Sequence, residues 1–90
     1  MDVDAKQPVR VTIFHQNYSL LAQGDPAELI DAANAVDELM MSIAAKSPTA
    51  DSTRIAVLAC LHLADGLNQA EQDLASLKEK AEALVISLNL

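Results

Sequence analysis

The sequence predicts an α+β protein that is mainly α, in which an N-terminal β-hairpin and a short helix form a head and a long C-terminal coiled-coil helix follows. Three observations predict it. Val9, Val11 and Ile13 alternate with Arg10 and Thr12, the period of a half-buried strand. From Asp51 to Leu90 there is no proline and a single glycine, Gly66. Within that stretch Cys60, Leu63, Leu67, Ala70, Leu74, Leu77, Ala81, Leu84 and Leu88 recur at steps of three and four without a miss, which is the a/d seam of a coiled coil.

Residues 1–8 are polar and include Pro8, so they read as a flexible tail that buries too little to offset its ordering. The head spans 9–50. Its first strand runs Val9–Phe14, its turn is His15-Gln16-Asn17, and Tyr18, Leu20 and Ala22 repeat the alternation in a second strand. Without a glycine the turn type stays open. Gly24-Asp25-Pro26-Ala27-Glu28 then starts a helix, with Asp25 as cap, Pro26 in the first turn and Glu28 placed for a capping box. Leu29, Ala33, Val36, Met40 and Ile43 form its apolar stripe, with Asp31, Asp37 and Glu38 on the solvated side. Ser47-Pro48 ends it near Lys46. The long helix spans 51–90 after the cap Asp51, packed on the head to about Gly66 and coiled coil beyond. Its first part, Ile55–Ala64, is apolar on nearly every face, which implies burial by the head and by a second chain.

That second chain follows from the seam. The first helix is too short to cover a stripe that runs to Leu88, and each leucine left in water forgoes roughly 1.5–3 kcal/mol. A second copy of the chain is the simplest cover, through Ile55, Leu58 and the nine seam residues. With Cys60 at an a position, Asp73 falls at g and Lys78 at the following e, so a parallel, in-register pair brings these two together between chains.

Composition narrows the function. Thirteen acids against six bases give a net charge of −7, a field that repels phosphate backbones. No nucleic acid is expected as a partner. The opening Met-Asp-Val-Asp-Ala-Lys has no basic region followed by an apolar stretch, and the longest apolar run, Ile55–Leu61, is far short of the ~20 residues that span a bilayer. A cytoplasmic chain without a membrane partner is the expectation, and a lone cysteine fits a reducing compartment. Cys60 and His62 are two residues apart on one helix and do not face each other, so they make no nucleophile–base pair. The acidic pairs Asp37-Glu38 and Glu79 with Glu82 read as solvated helix faces, and Met40 reads as core. No phosphate loop or metal-ligand spacing is present, so no cofactor, metal or catalytic residue is assigned.

Three stretches together resemble the ZapA family: Val11-Thr12-Ile13-Phe14 followed by Tyr18; Asp25-Pro26 with Leu29, Ala33, Val36-Asp37, Met40 and Ile43; and Arg54-Ile55-Ala56-Val57-Leu58-Ala59-Cys60-Leu61-His62-Leu63-Ala64-Asp65, which is similar to the family's R-L-A-V-L-A-A-L-N-I-A-D run. The resemblance covers about Val9 to Leu67. It implies a homodimer, or a homotetramer where two dimers meet, that binds and cross-links filaments of the tubulin-like GTPase FtsZ at the division site. This chain has His15 where the family commonly has Gly, Gln16 where a basic residue is frequent, His62 for Asn and Gly66 for Glu. The residues expected to touch the filament are Arg10, His15, Gln16, Asn17 and Lys46. Without the resemblance, the seam also suits a coiled-coil docking module for a different helical partner.

Overall fold

A computed structural model of the chain describes residues 6–88, with side-chain burial described through Ile86. The element order is β1 (Gln7–Ile13), β2 (Gln16–Ala22), α1 (Pro26–Lys46) and α2 (Ser52–Leu88). The chain divides into two compact units, Met1–Ala59 and Cys60–Leu90. Most of the 1–8 tail lies outside the described residues. Within them, Gln7 and Pro8 already belong to β1, two positions ahead of the expected start. Pro8 is tolerated because both strands of a two-stranded sheet are edges, where a missing N–H can face outward.

β1 and β2 pair antiparallel from Gln7↔Ala22 to Ile13↔Gln16. The loop is therefore two residues long. It consists of Phe14 and His15, both with positive φ, 48° and 68°, as a type I′ connection requires. This corrects the expected turn at residues 15–17: Gln16 and Asn17 open β2, and Phe14 leaves the strand for the turn. The left-handed region costs a residue with a Cβ on the order of 1 kcal/mol or more. Two compensations are visible. The Phe14 ring packs with Met40, Ile55 and Ala59, and its backbone N–H donates to Asp37 Oδ1 at 2.7 Å.

Asp25 caps α1 by accepting from the Ala27 N–H at 3.0 Å, with Pro26 in the first turn. The helix stops at Lys46, and the Ser47 N–H bonds back to Ile43 and Ala44 carbonyls. Asp51 caps α2 by accepting from the Arg54 N–H at 2.8 Å. One face of the hairpin and the stripe of α1 enclose Val9, Val11, Ala22 and Ala33, with Ile13 and Leu29 at their margin. A second cluster joins α1 to the first turns of α2 through Met40, Ile55 and Ala59, flanked by Val36, Leu39, Ile43 and Ala56. Ile13 touches both clusters, which makes them one core in the head. Met40 is buried as expected, whereas Met41 is exposed.

Candidate functional site

Two surfaces remain once the core is accounted for. In the head unit, the hairpin tip carries His15, Gln16 and Asn17, all exposed. Arg10 is exposed on β1, opposite Ser19 and on the same strand face as Thr12 and Asn17. Thr12 Oγ1 donates to Asn17 Oδ1 at 2.8 Å, and the Tyr18 hydroxyl donates to Gln16 Oε1 at 3.2 Å. The His15 ring lies 5.6 Å from the Phe14 ring, centroid to centroid. Four of the five expected contact residues thus share the hairpin. Lys46 does not: it is exposed in the last turn of α1, nine residues beyond Asp37 and so about 13 Å further along that helix.

Asp37 is the residue that pattern reading missed. The apolar stripe puts it on the solvated side of α1, yet it is half-buried and bonded to the turn. The available signal was its place between Val36 and Leu39-Met40, at the border of the apolar stripe.

The other surface belongs to α2. From Cys60 through Ile86 every described residue is exposed, so cover by the chain's own fold ends at Ala59 rather than near Gly66. Cys60, Leu63, Leu67, Ala70, Leu74, Leu77, Ala81 and Leu84 form an uninterrupted exposed stripe. The side chain of Leu88 lies outside the described residues. Leu74, Leu77 and Leu84 expose 66%, 64% and 66% of their surface. Leu58 is also exposed, but Ile55, expected between chains, is only 2% exposed inside its own chain. Ile55 faces Met40 across the α1–α2 contact, which is the head half of the role expected of a segment apolar on nearly every face. Val85 and Ile86 add apolar surface beside the seam, in a shallow groove with Ala81, Lys78 and Glu82. They were legible in the run Ala83-Leu84-Val85-Ile86, which is wider than an a/d pattern needs.

Comparison with known proteins decides the family. The model of the cell division protein ZapA matches residues 9–89. The chain belongs to the ZapA family. It is 28% identical over 75 residues to the ZapA of Halalkalibacterium halodurans, covering 83% of this chain and 82% of that one. It is 32% identical over 60 residues to the ZapA of Shouchella clausii, covering 67% and 77% respectively. A solved ZapA mutant dimer from Geobacillus stearothermophilus superposes with a TM-score of 0.68 at 27% identity, over 87% of this chain and 91% of that chain. The hairpin, short helix and long helix are therefore a ZapA fold, and the chain is a member of a cell division family. Among the described residues no helix is long and apolar enough to cross a membrane, and no group of three metal-ligating side chains converges.

Proposed function

We propose that this chain is a non-enzymatic adaptor that self-associates through α2 and cross-links FtsZ filaments at the division site through its heads. The observation that carries the reading is the exposed stripe from Cys60 to Leu84. An apolar face of that length is not left in water by a stable soluble chain, because burying each leucine gains roughly 1.5–3 kcal/mol. A second copy supplies the same stripe and so covers it knob into hole. The solved dimer of a relative supports this choice over an unrelated partner.

Self-association then has a mechanical use. Two heads on one oligomer reach two filaments, and the second contact forms at high effective concentration. Charge limits how each contact is made. Residues 1–51 hold eight acids and three bases, so the head carries no positive field that would draw in an acidic partner over a distance and the contact rests on local complementarity. The test is sedimentation of purified FtsZ with GTP, with and without the chain, alongside light scattering of the chain alone. Filament bundles that pellet only with the chain, and a mass of two chains or more, are expected. A well-folded monomer at micromolar concentration overturns the reading and favours a docking module that waits for another partner.

A further inference from the structure

We propose that the β2 half of the hairpin's inner face is a socket for the first turns of α2 of a second copy, so that each head is completed by its partner's helix; the inference rests on the self-association reading above. Its first support is a sheet face that is unevenly covered. Cross-strand pairs of an antiparallel ribbon share a face, so Leu20 lies beside Val9 and Tyr18 beside Val11 on the side that meets α1. Their burial differs. Val9 and Val11 are each 7% exposed, whereas Leu20 is 37% and Tyr18 44% exposed. The cause is that α1 packs on β1 and leaves the β2 half of the same surface open. Scattered exposed apolar side chains need no explanation, but these two sit on the face that the core itself uses. The Tyr18 hydroxyl already has a partner in Gln16 Oε1, so its ring can be covered without stranding a polar group.

The second support is independent and lies on α2. At about 100° per residue, Ile55 and Ala59, both buried against α1, point about 90° to one side of the direction set by Cys60 and Leu63. Val57 and Leu61 point about 90–130° to the other side. They are 53% and 62% exposed, and a two-stranded a/d seam does not reach that far round the helix. The two-fold axis supplies the cover. When two such helices lie parallel and in register about the seam, their heads fall on opposite sides of the pair, and the face of each helix turned from its own head lies beside its partner's head. Val57 and Leu61 thereby meet the open half of the partner's hairpin face. The reciprocal contact forms at the same time.

Charge permits this contact where much of the surface opposes one. Neither Gln16–Ala22 nor Ile55–Ala64 contains an Asp, Glu, Lys or Arg, although the chain carries a net charge of −7 and two copies repel. The two patches are matched as apolar surfaces.

The test mixes two full-length variants that both carry Cys60→Ser, one with Leu20→Cys and the other with Val57→Cys. After equilibration a short bis-maleimide should join them into a covalent dimer on a denaturing gel, and neither variant alone should form one. Val57→Asp is the second arm. It should raise the dimer dissociation constant at least about tenfold, read by sedimentation velocity over a dilution series, because the new carboxylate enters an apolar contact. Gln72→Asp, the same charge at an exposed position of α2 on the side away from the seam, should change the constant within about twofold. A wild-type dimer that gives no mixed band, or gives the band with the Leu20→Cys chain alone, overturns the socket and leaves self-association standing. So does a mixed band with an unchanged constant for Val57→Asp, which would mean proximity without burial. A wild-type chain that sediments as a monomer overturns the self-association reading and this inference together.

Discussion

The backbone N–H of Phe14 points at the Asp37 carboxylate, 2.7 Å away and partly buried, across twenty-three residues of sequence. It joins the strained end of the hairpin to the middle of α1. A charge-assisted bond of this kind contributes about 1.5–3 kcal/mol, enough to offset much of the left-handed backbone at Phe14 and His15. Asp37→Ala should therefore destabilise the head by about 1.5–3 kcal/mol in urea unfolding at fixed protein concentration. Asp37→Asn keeps an acceptor and should lose roughly half as much. Asp31→Ala, on an exposed position of the same helix, should stay within about 0.5 kcal/mol. Equal stability of all three variants would show that the turn holds itself.

That bond also marks where pattern reading stops. Period-two alternation located β1, and the steps of Leu29, Ala33, Val36, Met40 and Ile43 located the buried face of α1, because both patterns report burial directly. Caps at Asp25 and Asp51 were legible for a local reason: an acceptor sits two or three residues before the free N–H groups it satisfies. The turn was not legible. Its usual signal is Asn-Gly, and Phe14-His15 adopts the same backbone only because distant groups, the Asp37 carboxylate and the Met40–Ile55 cluster, hold it there. Periodicity on one helix likewise shows which side is apolar without showing which neighbour covers it, so Ile55 and Leu58 looked equivalent. The fold separates them.

Ile55→Ala and Leu84→Ala should accordingly fail in different ways. Ile55 is enclosed by Met40, Ala59 and the other members of its cluster, and trimming it leaves a cavity that costs about 2–5 kcal/mol. That loss belongs to the head of each chain and should lower the unfolding midpoint by a similar amount at all protein concentrations. Leu84 touches nothing that would be left hollow in its own chain. Its loss should instead weaken association, seen as a larger drop in midpoint, or in mass by light scattering, at low micromolar concentration than at high. A concentration-independent effect of Leu84→Ala would place that residue outside the interface.

The direction of pairing can be read at Cys60. It is exposed, and the proposed seam starts there if Cys60 is taken as an a position. In a parallel, in-register pair the two a positions of that layer face each other, within the Cα separation of about 4.4–6.8 Å that a disulfide bridges. Mild oxidation should then link two chains into one covalent dimer on a non-reducing gel, and Cys60→Ser should abolish the band. The same register sets Asp73 near Lys78 of the second chain, although Asp73 already accepts from Gln69 at 3.0 Å within its own helix. Such an exposed pair adds at most ~1 kcal/mol, so cross-linking at Cys60 is the sharper readout. A monomer band under oxidation, with the mass of a dimer in solution, would rule out the parallel, in-register arrangement.

Binding and bridging come apart in the full chain carrying Leu74→Asp with Leu77→Asp. Both side chains are exposed in the single chain, so the head, whose described core lies entirely before Cys60, keeps its contacts. Self-association does not tolerate the change, because two unpaired carboxylates per chain would have to enter a desolvated seam. The variant should scatter as a monomer while its hairpin tip stays intact. If the proposed cross-linking holds, one head on one filament should still bind with its own affinity, while the gain from a second tethered head, about a hundredfold or more, should be lost. Bundles seen by electron microscopy or low-speed sedimentation should therefore disappear, while high-speed co-sedimentation at raised concentration still detects the monomer on single filaments. Bundling by this variant at wild-type strength would mean that each head alone joins two filaments and that α2 is not the cross-linking element.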